Sequence, residues 1–176
     1  MEIVGETRMT SDLGSLSVRL AQASDKAALR AAVVELHEVE RGLHDSRLPG
    51  EQTADAYLEW MLAETTRGGA VFVAEASGVF AGFAAGWILQ ENLIEETPDS
   101  NRFGYISDLC VLPAFRGRRI AARLLEALES RLSLSGVARI RLSALVQTKP
   151  RERLTNARAT LHSRSSTRRR CATRIC

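Results

Sequence analysis

Arginines crowd the junction between an apolar run and an amphipathic stretch in "PAFRGRRIAARLL". Residues 116–119 hold three arginines around Gly117. The first amides of a helix have no partner within it, and the helix dipole favours an anion beside them. Arginine adds charge-assisted bonds to phosphate oxygens, and glycine lets the backbone approach a ligand closely. This pattern predicts a phosphate-binding loop, and the alternative is a solvated turn whose arginines pair with Glu126 and Glu129.

The positive net charge of the chain comes from its C-terminal segment. Residues 149–176 hold nine Lys or Arg and one acid, whereas the rest of the chain holds 15 Lys or Arg against 20 acids. The globular part is therefore mildly acidic, and the basic pI of the whole chain does not indicate a nucleic-acid partner. The basic tail also lacks aromatic residues that could stack on bases, so nucleic-acid binding is the weakest function considered.

Length and composition favour one globular domain. The 176 residues suit a single sizeable core, and no apolar run approaches the roughly 20 residues of a membrane helix. Cys110, Cys171 and Cys176 give neither metal-ligand spacing nor an even disulfide framework, so no metal site is expected. Residues 1–16 contain acids and lack the apolar segment of a secretion signal, so a flexible leader and a cytoplasmic location are expected.

Hydrophobic spacing predicts the element order β-α-α-β-β-β-α-β for a domain over residues 17–146. The predicted strands are "LSVRLAQ", "AVFVAEA", "VFAGFAAGWIL", "YISDLCVL" and "ARIRLSALV". The helices are expected after a cap at Ser24 or Asp25, from Thr53 through Tyr57, Trp60 and Met61 to about Thr65, and from about Gly117 to Leu134. The strand-helix-strand unit at 105–146 predicts a parallel strand pair with a right-handed crossover.

The segment after Val146 differs in composition from the rest. It is rich in Arg, Ser and Thr, and it contains three sizeable aliphatic residues and no aromatic residue. Such a segment buries too little apolar area to offset the entropy of ordering, so residues 147–176 are predicted to be a disordered tail. A shifted reading frame after about Val146 is our hypothesis for its origin.

The stretch "DLCVLPAFRGRRIAARLLEALE" resembles the acyl-CoA-binding motif of the GNAT superfamily of N-acyltransferases. That motif is a strand, then V-x-P-x-(Y/F)-(Q/R)-x-x-G-x-(G/A), then a helix. The matching residues are Val111, Pro113, Phe115, Arg116 and Ala121. The element order over residues 17–146 also resembles the family, whereas Arg119 stands where the family usually has glycine. The resemblance implies an α/β (α+β) fold with a mixed, mostly antiparallel central sheet flanked by helices.

The resemblance also implies a function and a cosubstrate. An acetyl group would pass from acetyl-CoA to a primary amine of a small molecule or a protein, by direct attack in a ternary complex and without a metal. The pyrophosphate would lie on the loop amides and the pantetheine along the motif strand, where a bulge would point an N–H at the thioester oxygen. The implied acetyl-CoA-binding residues are Leu109, Cys110, Val111, Arg116, Gly117, Arg118, Arg119, Ile120, Ala121 and Ala122. The choice between a monomer and a homodimer stays open.

Two candidates for catalysis follow from the resemblance. Asp108 lies where the family often has an acidic residue, so it is the candidate base that removes the amine proton. The alternative is an aspartate held by backbone amides at the bulge. Tyr105 is the second candidate, through a hydrogen bond to substrate, and the alternative is a packing role.

The acceptor side has candidate residues in two places. His37 and Glu40, with Glu38 and His44 beside them, lie where the family shapes its acceptor pocket, and the alternative is a solvated helix face. Glu95 and Glu96 lie in the acidic loop "ENLIEETPDSN", which would attract a cationic amine. The alternative for this loop is simple exposure to solvent.

The C-terminal part of the fold is expected to be incomplete. The family follows its fifth strand with a helix whose tyrosine often protonates the leaving CoA thiolate, but the chain has no tyrosine after Val146. Impaired activity is therefore expected. A non-catalytic CoA-binding or sensing domain is the alternative function.

Overall fold

The computed structural model describes residues 15–43 and 46–143, and there it has the predicted order β-α-α-β-β-β-α-β. The strands are β1 (Leu16–Leu20), β2 (Ala70–Ala76), β3 (Val79–Gln90), β4 (Arg102–Val111) and β5 (Ile140–Leu142). The helices are α1 (Lys26–Leu43), α2 (Gly50–Thr65) and α3 (Ile120–Ser133), with 3₁₀ turns at Ala23–Asp25 and Pro113–Phe115. The predicted leader up to residue 14, the predicted tail and the end of the predicted fifth strand lie outside the described residues.

The strands form one mixed sheet in the order β1-β2-β3-β4-β5. The first four are antiparallel neighbours, and β5 runs parallel to β4, with Gly104 opposite Ile140. The predicted mostly antiparallel sheet and the parallel pair around α3 are confirmed.

Two hydrophobic layers cover the sheet. The helices α1 and α2 pack on one face through residues such as Leu29, Val33, Leu58 and Met61. The helix α3 covers the other face through an apolar stripe at helical spacing, in which Ile120, Leu124, Leu128 and Leu132 are buried and Leu125 is partly buried. None of the helices within the described residues is long and apolar enough to cross a membrane.

The first two helices begin differently from the sequence predictions of their caps. The carboxylate of Asp25 accepts the Gln22 N–H at 2.7 Å, so Asp25 lies inside a 3₁₀ turn that precedes α1. The helix α2 begins at Gly50 and not at Thr53, because the Gly50 N–H donates to Glu38 on α1 at 2.7 Å. A carboxylate from another helix therefore supplies the cap of α2.

A β-bulge interrupts β4 next to the predicted base. Ala85 on β3 pairs with Asp108 and Gly86 pairs with Ile106, so Ser107 is the extra residue. A Cβ at Gly86 would lie 2.6 Å from the Tyr105 carbonyl oxygen, so only glycine fits opposite the bulge. The bulge places Asp108 on the face that α1 and α2 cover, because Asp108 and Cys110 share one side of the strand.

Candidate active site

The second half of β4 presents an open edge. Within the described residues, β5 pairs with β4 at Gly104 to Ile106 alone. The Leu112 N–H donates to the Ala81 carbonyl, which makes Val111 and Gly82 a non-hydrogen-bonded pair of β3 and β4. Val111 and Leu109 therefore direct their backbone groups away from β3. An extended ligand can add to this edge as a further strand would.

Cys110 does not share the open edge with its neighbours. Its position between Leu109 and Val111 turns its backbone towards Phe83 on β3. Its thiol is buried and lies 3.7 Å from the Ala32 carbonyl oxygen on α1. The predicted pantetheine contact at Cys110 therefore needs correction, since the strand directs only Leu109 and Val111 outward.

The loop before α3 holds its amides in an anion-binding arrangement. Gly117 and Arg119 have positive φ values of 77° and 60°, so the helix begins at Ile120 and not at Gly117 as predicted. The first bond of α3 runs from the Arg123 N–H to the Arg119 carbonyl. The amides of residues 120–122 therefore lie outside the hydrogen bonding of the helix and remain available to a ligand.

The arginines of this loop do not pair with the acids of α3. Arg116 donates from Nε to the Val111 carbonyl at 3.1 Å and lies 3.7 Å from Glu35. Arg118 stacks over the Phe115 ring at 5.7 Å. Within the part of the chain that the structure describes, neither Arg118 nor Arg119 forms an ion pair. The observed contacts do not match the alternative of a turn neutralised by Glu126 and Glu129.

Arg119 occupies a left-handed backbone conformation, with φ 60° and ψ 15°. This conformation costs an L-residue roughly 1–2 kcal/mol, and glycine adopts it freely. We expect Arg119→Gly to raise the free energy of unfolding by about 0.5–1 kcal/mol, measured by urea denaturation. Arg119→Ala is the matched control, because it removes the charge and keeps Cβ. If Arg119→Gly and Arg119→Ala raise the free energy of unfolding equally, the gain comes from the lost charge and not from the relaxed backbone.

Asp108 is a buried carboxylate with one unsatisfied oxygen. The residue is 4 % exposed, and its Oδ1 accepts the Tyr57 hydroxyl at 2.9 Å. Its Oδ2 is buried without a hydrogen-bond partner among the described residues. Burial raises the pKa of Asp108 to about 6, although the hydroxyls of Ser107 and Tyr57 oppose that rise. The sequence left open that backbone amides at the bulge hold Asp108, but the partner in the structure is the Tyr57 phenol. With its raised pKa, the carboxylate can take up a proton near neutral pH.

A pocket of about 260 Å³ lies between α1 and α2, beside Asp108. Its lining residues are His37, Ser46, Arg47, Leu48, Thr53 and Tyr57. His37 Nδ1 lies 2.8 Å from Thr53 Oγ1, and burial together with Arg47 lowers the pKa of His37, so the ring is neutral at pH 7. Glu40 pairs with Arg47 at 3.2 Å, and burial raises the pKa of Glu40. The structure thus brings His37 and Glu40 close to Tyr57, while His44 lies outside the described residues.

The catalytic candidate Tyr105 and the acceptor-side candidates Glu95 and Glu96 lie outside this pocket. The Tyr105 ring packs edge-on against Trp87 with centroids 6.0 Å apart, which is the packing role left open by the sequence. Glu96 lies 3.8 Å from Arg141 and accepts the Ser100 hydroxyl, and Glu95 is exposed. Their loop precedes β4, about 20 Å along the strand from Asp108. The attraction of an amine by Glu95 and Glu96 stays a prediction.

Tyr57 and Arg47 are the site residues that the sequence reasoning missed. Tyr57 stands in the apolar stripe of α2 with Trp60 and Met61, so its spacing indicated a core residue. Its hydroxyl meets a carboxylate 51 residues further along the chain. The one available signal was a polar tip on a core position, since buried tyrosines usually find a partner for the hydroxyl.

Among the described residues, no group of three His, Cys, Asp or Glu is placed to hold a metal ion.

Comparisons with known proteins agree on one family. The model of the "Acetyltransferase (GNAT) family" matches residues 32–155. An uncharacterised N-acetyltransferase of Archaeoglobus fulgidus is 36% identical over 86 residues, which cover 49% of this chain and 54% of that protein, so the chain spans about half of its length. A GCN5-related N-acetyltransferase from Ralstonia eutropha superposes with a TM-score of 0.61 at 19% identity, over 86% of this chain and 98% of that one. A predicted acetyltransferase from Clostridium acetobutylicum, solved with acetyl-CoA, gives a TM-score of 0.58 at 19% identity, over 85% and 96% of the two chains.

Proposed function

Because the chain belongs to the acetyltransferase (GNAT) family, we propose that it moves the acetyl group of acetyl-CoA to a primary amine by direct attack in a ternary complex. The observation that carries this proposal is the buried Asp108 carboxylate beside the open edge of β4. A base, a strand edge for the pantetheine and a loop for the pyrophosphate then lie along one strand.

The chain would hold acetyl-CoA with two sets of backbone groups. The amides of residues 120–122, at the positive end of α3, fit the pyrophosphate, and Arg118 and Arg119 supply charge-assisted bonds to it. The outward N–H and C=O of Leu109 and Val111 fit the amide groups of the pantetheine, although Arg116 already donates to the Val111 carbonyl. Binding energy from both sets would orient the thioester against the bulge of β4.

Acetyl-CoA supplies the thioester carbonyl that the amine attacks. Asp108 takes the proton of the amine, directly or through one water molecule, as the new N–C bond forms, and the C–S bond breaks so that CoA leaves as its thiolate. A base of pKa about 6 is ionised at pH 7 and still accepts a proton in the reaction. The outward N–H of Leu109, beside the bulge, stabilises the thioester oxygen as it gains negative charge.

The acceptor would enter through the pocket between α1 and α2. Tyr57 lines this pocket and touches Asp108, so an amine there lies one side chain from the base. Neutral His37 and the pair of Glu40 and Arg47 give the pocket both hydrogen-bonding and charged groups. Either a small amine or the amine of a protein side chain suits this composition.

A second candidate is a CoA-binding domain without turnover. The family usually protonates its leaving thiolate with a tyrosine after the fifth strand, and this chain has no tyrosine after Val146. Binding would then be intact, since the loop before α3 and the edge of β4 do not depend on that tyrosine.

One experiment on the full chain separates the two functions. Acetyl-CoA is titrated by calorimetry, and thiol release is then measured with a panel of small amines and lysine peptides. Binding with amine-dependent thiol release supports acetyl transfer. Binding without release supports the second candidate, and absence of binding contradicts both.

A further inference from the structure

We infer that Tyr57 is a positioning residue for Asp108, and that its hydroxyl holds one carboxylate oxygen so that the other faces the reacting amine. This inference rests on the proposed function. It gives Tyr57, which also lines the acceptor pocket, a separate role towards the base on β4.

The hydrogen-bond geometry at Asp108 is asymmetric. Tyr57 donates to Oδ1 at 2.9 Å, and the Ser107 hydroxyl also acts on the carboxyl, but Oδ2 itself is buried without a hydrogen-bond partner among the described residues. Fixing one oxygen restricts rotation of the carboxylate about its Cβ–Cγ bond, so the position of Oδ2 is set as well. A buried polar atom left unsatisfied is costly and calls for an explanation, and a role in the reaction supplies one for Oδ2.

Tyr57 is itself held by its neighbours. The His37 ring meets it edge-on with centroids 4.6 Å apart, and the Trp60 ring lies at 5.2 Å. The contact of His37 with Thr53 at 2.8 Å fixes the His37 ring in turn. An aromatic side chain has only two torsions, so these contacts leave the hydroxyl little freedom.

Charged and polar groups from two helices, one strand and one loop face Asp108. On α1, Glu40 raises the pKa of Asp108, and in the loop after α1, Arg47 lowers it. On β4 and α2, the hydroxyls of Ser107 and Tyr57 favour the ionised form and also lower it. Burial and the charge of Asp108 raise the pKa of Tyr57, so the phenol keeps its proton and remains a donor across the working pH range.

The test is a carbon-13 NMR titration of the Asp108 carboxyl in the full chain, with Asp108→Asn to assign the resonance. In Tyr57→Phe the pKa of Asp108 should rise by about one pH unit, since a donor to the ionised form is lost. The acid limb of the kcat/KM profile should move by the same amount, and kcat should fall. Tyr105→Phe is the matched control, in which the Asp108 pKa should not change.

A second variant opposes the first in sign and preserves packing. The chain has two tyrosines, so fluorotyrosine incorporated into the Tyr105→Phe protein labels position 57 alone. Fluorination makes the phenol a stronger donor, and the pKa of Asp108 should fall. This variant tests the inference even if Tyr57→Phe does not fold.

The outcomes separate this inference from the function on which it rests. An Asp108 pKa that is unchanged by both variants overturns the positioning role. Loss of activity in Tyr57→Phe with an unmoved acid limb also overturns it, because Tyr57 would then act on the reacting atoms directly. A wild-type chain without turnover contradicts the proposed function, and the NMR titration, which needs no turnover, then decides the role of Tyr57.

Discussion

Asp108→Asn should lower kcat/KM for acetyl transfer by about 10²- to 10⁴-fold, which is the usual contribution of a general base. The amide keeps the shape of the side chain and can still accept the Tyr57 hydroxyl, but it cannot take a proton from the amine. The binding of acetyl-CoA should stay within about threefold, since the base lies outside the loop that fits the pyrophosphate. Steady-state kinetics and calorimetry measure the two effects.

The same substitution should change how stability depends on pH. The pKa of Asp108 is raised from 3.8 to about 6, so the carboxyl destabilises the folded state as it ionises. The stabilisation that the protonated carboxyl gives, relative to the ionised one, is fully present below pH 3.8 and is lost as the pH rises through about 6. Between pH 5 and pH 8 the loss is on the order of 1 kcal/mol. Asp108→Asn should abolish this part of the pH dependence, as followed by urea denaturation at both pH values.

A matched substitution at an exposed aspartate tests both effects. Asp55 lies on α2 and pairs with Arg30 at the surface. Asp55→Asn should leave kcat/KM unchanged and alter the unfolding free energy by less than about 0.5 kcal/mol. A wild-type rate in Asp108→Asn would remove Asp108 from the mechanism. The difference in unfolding free energy between Asp108→Asn and the wild type should itself change from pH 5 to pH 8. If this difference is the same at both pH values, the pKa of Asp108 is not raised by burial in the folded state.

The sheet and α3 were predictable because their signals are local. Alternation and apolar runs located all five strands, and the helical stripe from Ile120 to Leu132 matches the observed inner face of α3. The loop before α3 was also readable, because residue types that bind anions are adjacent there. Its glycine and arginine content did not reveal that Arg119 itself has a positive φ.

Beyond His37 and Glu40, the pocket was not predictable, because long-range contacts build it. The cap of α2 comes from Glu38, 12 residues before Gly50, and the partner of Asp108 comes from Tyr57, 51 residues before it. The difference between Cys110 and its two neighbours depends on the register of β3 and β4, which no short pattern encodes. Sequence reasoning thus found the candidate base but not the side chain that orients it.

The loop before α3 makes a prediction in which stability and binding change in opposite directions. The first turn of α3 has no acidic residue, although the helix dipole favours one. Ala122 is exposed in that turn, as the third residue of the helix. Ala122→Glu should therefore stabilise the fold by about 0.3–1 kcal/mol, measured by urea denaturation. If stability alone decided the sequence, an acidic residue would be favoured in the first turn of α3. Its absence there is what we expect if the turn binds an anionic ligand.

The same glutamate should weaken the binding of acetyl-CoA by about 10- to 100-fold. It would lie a few ångströms from the pyrophosphate, where like charges repel by about 1.5–3 kcal/mol at a surface site. Calorimetry at low and high salt measures this, and the loss should shrink as salt screens the repulsion. Ala122→Gln controls for size, and Ala63→Glu, on the exposed side of α2, controls for net charge. A negative charge at the third residue of α3 must repel an anion that the amides of that turn hold. If Ala122→Glu binds acetyl-CoA as tightly as the wild type does, the pyrophosphate therefore lies elsewhere.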